Sequence, residues 1–192
     1  MIDVGTSGWQ FDNWKGRFYE DGLPKREWLP VYAETFDTVE VNNTFYQLPD
    51  PETLERWRDV TPPDFTFAIK ASRYITHMKK LTDPTEPVQT LYRRLEPLGE
   101  QVGPILFQLP PNWHQNVERL EAFLEILSAD HRHVFEFRDP TWFGPATMEA
   151  LAAHDAAFCM YELGPTHSPL ARTTDFAYVR LHGRDPAYEG RY

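Results

Sequence analysis

Six short apolar runs in this sequence end in side chains that can bind charge or move protons. Residues 2–6 lead into Ser7-Gly8-Trp9, 38–41 into Asn42-Asn43-Thr44, and 65–69 into Lys70. Residues 105–107 lead into Gln108, 134–137 into Arg138, and 178–181 into His182-Gly183. If each run is a strand, side chains two apart point the same way. Glu40 then shares a face with Asn42, Glu136 with Arg138, and Arg180 with His182, while Lys70 and Gln108 share theirs with Ala68 and Leu106. Turning the ionic groups towards a helix layer would bury them unpaired, which is costly. The cheaper orientation gathers Glu40, Lys70, Glu136, Arg138, Arg180 and His182 on one inner face.

Such a set can hold an anion and transfer protons. Lys70, Arg138 and Arg180 are expected to bind the anion, with Asn42 and Gln108 adding polar contacts. Glu40 and Glu136 would orient groups or act as base, and His77 or His182 would carry the proton. Arg73, Lys79, Lys80 and Arg184 in adjoining stretches add positive charge. A protein of net charge −10 is thus expected to carry a cationic mouth for a small ligand bearing phosphate or carboxylate. Aromatic residues follow the same runs: Trp9, Phe45, Tyr46, Tyr74, Trp113, Trp142 and Phe143. They either plug the structure against helices or, with Trp9 and Trp142 foremost, stack on the ligand.

The same residues admit other chemistries. Their charges could neutralise one another as a structural network, although buried ion networks add little stability over apolar packing. Glu40 and Glu136 could be the acid and base for a glycoside. Glu40, Glu136, His77 and His182 could take Mn or Zn, but the cationic neighbours and the lack of an HExxH spacing oppose it. No cofactor is expected, since neither a G-x-G-x-x-G nor a P-loop sequence occurs, and Gly5-Thr6-Ser7-Gly8 alone is a weak phosphate-loop signal. A non-catalytic module binding nucleic acid or a phosphorylated metabolite would use the same clamp. The acidic net charge weighs against nucleic acid.

The elements that must position these groups follow from the spacing of apolar residues and prolines. Of 192 residues, 41% are hydrophobic, 15% aromatic and 25% charged, which is a globular composition with room for one sizeable core. Strands are expected at 2–6, 38–42, 65–70, 105–109, 133–138, 156–161 and 177–182, with helices near 24–32, 51–61, 87–100, 117–127 and 145–154. Trp28 and Trp57 fall in the helical stretches and read as core. No apolar run approaches the roughly 18 residues of a membrane span, and the N-terminus has no basic leader. The single Cys159 reads as a buried thiol in a reducing, cytoplasmic setting. A β/α alternation with chemistry at the strand ends predicts an α/β protein, a TIM-type (β/α)8 barrel with its site at the C-terminal face. Such a barrel needs eight strands and about 250 residues. Residues 1–192 are therefore expected to form a single barrel domain truncated after strand seven.

These motifs also resemble a known family. Gly5-Thr6-Ser7-Gly8-Trp9 with Trp14 and Phe18-Tyr19, then Val39 to Tyr46, are similar to motifs of the YecE-like family, a domain of unknown function. Phe67-Ala68-Ile69-Lys70 with Ile75-Thr76-His77, Leu106 to Pro111, Phe135 to Arg138 with Trp142, and Tyr178 to Gly183 continue the resemblance. It implies a TIM-type barrel and supplies no established reaction. The family's barrel is similar to those of metal-dependent nucleases and sugar isomerases, and members continue into a further β/α unit.

Overall fold

Prolines and polar caps set the helix boundaries in the computed structural model, which describes residues 2–183. The α1 helix (Trp28–Ala33) precedes strand β1 (Thr38–Val41). Pro51 opens α2 (Pro51–Asp59), where its missing N–H costs nothing, and the Asp50 carboxylate accepts from the Thr53 N–H at 2.7 Å. Pro62-Pro63 stops that helix before β2 (Thr66–Lys70). The α3 helix (Thr85–Leu95) buries Val88, Leu91 and Leu95 as one stripe. The stretch expected to be helical through residue 100 changes at Glu96-Pro97 into a 3-10 segment, Glu96–Gln101. Pro97 lacks the N–H that the α-helical pattern needs there.

Strand β3 (Val102–Gln108), α4 (Val117–Leu124), β4 (His133–Glu136), α5 (Pro145–Ala153), β5 (Ala156–Leu163), β6 (Thr166–His167) and β7 (Tyr178–Leu181) complete the order. The contacts divide the chain into two compact units, residues 2–72 with 89–104, and residues 73–88 with 105–183. In the first unit β1 and β2 run parallel with Glu40 opposite Ala68. In the second, β4 pairs in parallel with β3 and β5, and β5 pairs in parallel with β7. Strand β6 returns antiparallel to β5 as a short hairpin that the sequence reading did not anticipate. Its turn uses Gly164 at φ 55°, a left-handed conformation that a side chain would strain. The fold is thus α/β with mixed strand pairing.

The expected first strand is not one. Residues 2–6 run beside β1, and the Glu40 N–H donates to the Thr6 carbonyl at 3.0 Å, but no ladder forms. Ile2 and Val4 are 87% and 61% exposed, so their apolar side chains have no core to enter. Close passage is nevertheless enforced at Gly5, where a Cβ would collide with the Thr38 carbonyl oxygen. Trp28 is fully buried, as expected for core, and donates its indole N–H to the Leu23 carbonyl at 3.1 Å. Trp57 packs on Phe67 with centroids 5.9 Å apart.

His133 at the start of β4 supplies a pH test of this core. Burial, helped by His131, pushes its imidazole down to about 4. Between that value and the ordinary one near 6.5, the unfolded chain binds more protons than the folded one, so acidification favours unfolding. We expect this group to remove up to about 3 kcal/mol of stability between pH 7 and pH 4. Urea midpoints measured across that range should fall less steeply for His133→Gln than for the parent; equal slopes would show that His133 does not stay neutral in the fold.

Candidate functional site

The second unit builds its polar cluster on one face of four parallel strands. Register sets Leu106 beside Val134, Gln108 beside Glu136, Val134 beside Ala157, and Cys159 beside Tyr178. Leu106, Val134, Ala157 and Cys159 form a buried apolar floor, edged by Phe176 and Tyr178. One step further along the same face come Gln108, Glu136, Arg138, Tyr161, Arg180 and His182. The change from apolar to polar occurs where the strands end, because the ladder no longer needs apolar packing there.

Glu136 is the centre of this cluster and is fully buried. Its Oε1 accepts from Arg138 Nε in a short contact. Its Oε2 accepts from Arg180 Nη1 at 2.6 Å and from the Cys159 thiol at 3.7 Å. One carboxylate thus holds two guanidiniums. Arg138 also lies over the Tyr161 ring, 4.5 Å from its centroid, and its Nη2 stands 3.4 Å from His182 Nε2. A guanidinium can only donate, so that contact makes Nε2 the acceptor and puts the ring proton of a neutral His182 on Nδ1. The His182 main chain is fixed by its N–H to the Glu162 carbonyl at 2.9 Å. Gly164 N–H in turn donates to the Gly183 carbonyl at 2.9 Å.

Strand β5 contributes two residues that the sequence reading left in an apolar run, Cys159 and Tyr161. Tyr161 is 3% exposed, and its backbone N–H donates to Ser168 Oγ at 2.9 Å across the hairpin. Burial pushes the phenol up, while the Arg138 charge pulls the other way. Parity would have found both: Tyr161 occupies the strand end on the same face as Cys159, as Arg138 does with Glu136.

The other expected residues sit as follows. Gln108 Nε2 donates to the Leu109 carbonyl at 3.2 Å. His77 lies on a π-turn, Tyr74–Met78, with Nδ1 2.9 Å from Thr76 Oγ1. Trp142 is fully buried, stacks on Phe137 at 4.8 Å and donates its indole N–H to the Trp113 carbonyl at 2.7 Å. Asp139 caps the turn that carries Trp142, and hydrogen bonds from Thr141, with His114 beside it, hold that carboxyl below its usual range. Lys79 reaches Asp83 at 3.7 Å. Arg184 lies outside the described residues.

In the first unit Asn42 Nδ2 donates to Glu40 Oε1 at 2.9 Å and to the Ser7 carbonyl at 3.2 Å, so Glu40 and Asn42 meet as parity predicts. The Thr44 hydroxyl reaches the carbonyls of Val41 and Lys70, each at 2.7 Å, and ties the ends of β1 and β2. Lys70 Nζ lies 4.4 Å above the Phe45 ring. Trp9 is buried edge-on against Trp57 at 5.0 Å, and its carbonyl accepts from the Tyr19 hydroxyl at 2.6 Å. Trp9 and Trp142 thus both occupy packed positions, the arrangement of a plug. Among the described residues no three His, Cys, Asp or Glu side chains converge as a metal set, and no helix is long and apolar enough to cross a membrane.

Residues 3–192 match the family described as Protein of unknown function DUF72. The sequence is similar to UPF0759 protein YecE of Escherichia coli K12, 31% identical over 150 residues that make up 78% of this chain and 53% of that protein. It is also similar to UPF0759 protein YunF of Bacillus subtilis 168, 26% identical over 96% of this chain and 71% of that one. The chain therefore spans about half the length of YecE. The structure is similar to that of a DUF72 family protein from Thermotoga maritima MSB8, with TM-score 0.86 and 33% identity over 100% of this chain and 78% of that one. A DUF72 family protein from Enterococcus faecalis V583 shares the fold at TM-score 0.78 and 20% identity, over 98% of this chain and 73% of that one.

The Glu136 pairings predict strong coupling. Arg180→Met leaves a fully buried carboxylate with one guanidinium and should cost about 3 kcal/mol. Adding Glu136→Gln should cost much less in that background than in the parent, a coupling of about 2 kcal/mol in a double-mutant cycle of urea unfolding. Additive losses would show that the two groups do not share an ion pair.

Proposed function

This chain belongs to the DUF72 family, and we propose that it binds a small phosphate-containing anion where β4, β5 and β7 end. The observation that carries this reading is the fully buried Glu136 holding both Arg138 and Arg180. Apolar packing of the same volume would serve stability as well as a network kept only for folding. This one sets two guanidiniums on a single carboxylate beside an apolar floor, in a protein of net charge −10. Arg138 Nη1 donates to none of the described residues, which leaves part of its planar fork for an oxyanion.

Roles follow from the contacts. Arg138 and Arg180 bind the anion, and Gln108 lies beside Glu136 in register to add a polar contact. Both Glu136 oxygens already accept hydrogen bonds, which suits orienting the guanidiniums better than abstracting a proton. If the protein is an enzyme, His182 is the group placed to move protons next to the anion. The same clamp serves a non-catalytic binder of a phosphorylated metabolite. Glu40, Asn42 and Lys70 in the first unit and His77 in the second are further candidates for ligand binding or proton transfer. The β/α order, the parallel pairings and polar strand ends support a TIM-type barrel, which places ligands at that end.

Isothermal titration with inorganic phosphate and with sugar phosphates at low ionic strength tests the reading. Saturable binding is expected for the parent. Arg138→Gln should weaken it at least about tenfold, the loss of a charge-assisted hydrogen bond. Equal binding by the variant would remove Arg138 from the site.

A further inference from the structure

Among the described residues, two buried side-chain oxygens have no hydrogen-bond partner: Gln101 Oε1 and the Tyr161 hydroxyl. Gln101 has a structural occupation, because its amide nitrogen clasps Thr61 Oγ1 at 3.2 Å and the Pro62 carbonyl at 2.6 Å. Tyr161 has none for its hydroxyl. A buried phenol normally finds a partner, and leaving it without one is unfavourable by the cost of stripping its water. Phenylalanine would fill the same volume without that penalty, so packing alone does not account for the oxygen.

Its position does. In the β5–β7 register Tyr161 stands directly beside Arg180, and on its other flank the Arg138 guanidinium lies 4.5 Å over its ring. Three donor-bearing side chains from three neighbouring strand ends therefore share one face. The hairpin bond from Tyr161 N–H to Ser168 Oγ holds the backbone of the middle one in place. Two guanidiniums alone saturate a planar carboxylate. A third, neutral donor suits a group with three terminal oxygens.

We propose that the Tyr161 hydroxyl is a third donor to a phosphoryl oxyanion held by Arg138 and Arg180, an assignment that rests on the anion-binding reading above. The ligand class is then a phosphate monoester or phosphate itself, with Tyr161 bonded to one terminal oxygen and the guanidiniums to the others. Burial, which raises the phenol, keeps it in the protonated, donating form at neutral pH.

Tyr161→Phe deletes the oxygen and leaves the ring under Arg138. Thermal unfolding without ligand should give a midpoint equal to or above that of the parent, since an unpartnered hydroxyl is lost. Titration with inorganic phosphate should show roughly ten- to hundredfold weaker binding, the loss of one hydrogen bond to a charged group. A lower midpoint without ligand would mean that the hydroxyl has a protein partner, and would overturn the proposal. Phosphate binding unchanged in Tyr161→Phe but lost in Arg138→Gln would overturn it too, and would leave the anion-binding reading standing. A parent that binds no phosphate removes both.

Discussion

A carboxylate with no exposure to water must replace its hydration in full, and Glu136 does so with two guanidiniums and a thiol. That requirement organises the cluster around it. Arg138 comes from just beyond the end of the same strand and Arg180 from β7, so the ion pairs tie the ends of two elements to one side chain. Breaking either pair leaves a buried charge uncompensated, which costs several kcal/mol. The two cations are consequently held to narrow geometries before any ligand arrives. For the proposed anion site this matters because preorganised donors lose little freedom on binding.

The surroundings serve that anchor. The apolar floor of Leu106, Val134, Ala157 and Cys159 lowers the local dielectric, so each charge acts more strongly than it would at a surface. The β5–β6 hairpin, turned at Gly164, fixes Tyr161 through Ser168 and meets Gly183 through the Gly164 N–H. One small turn therefore positions both Tyr161 and the chain that follows His182. In the first unit the same logic recurs on a smaller scale, with Asn42 bridging Glu40 and Ser7, and Thr44 fastening two strand ends. Glycine at position 5 is required there by a close backbone approach rather than by any phosphate loop.

Strand alternation makes much of this legible in the sequence. It placed Glu136 with Arg138 and Glu40 with Asn42, and both of those pairs meet, whereas Arg180 reaches Glu136 and His182 reaches Arg138. What it could not show is how charge is shared, since both arginines turn to one glutamate. Cys159 and Tyr161 were hidden because residues 156–161 read as an unbroken apolar run, with no charged ending to mark its inner face. The aromatic residues are harder to read from sequence. Following a strand puts Trp9 and Trp142 near its end, but whether a ring lines a site or plugs the core depends on neighbours such as Trp57, Trp113 and Phe137 that lie far away in sequence or on another element. The run at 2–6 shows the limit of composition. Its residues suit a strand, yet a strand needs a ladder and a core-facing side, and Ile2 and Val4 have neither.

The central claim is that the guanidiniums anchored on Glu136 hold an oxyanion. Nitrogen-15 NMR of arginine-labelled protein reports on them directly, because buried Nε–H groups exchange slowly and give resolved signals. During a titration with inorganic phosphate, the account predicts saturable shifts of the Arg138 and Arg180 signals with a common midpoint, while arginines elsewhere stay in place. Stationary Arg138 and Arg180 signals, or a uniform drift of every arginine with ionic strength, would contradict it.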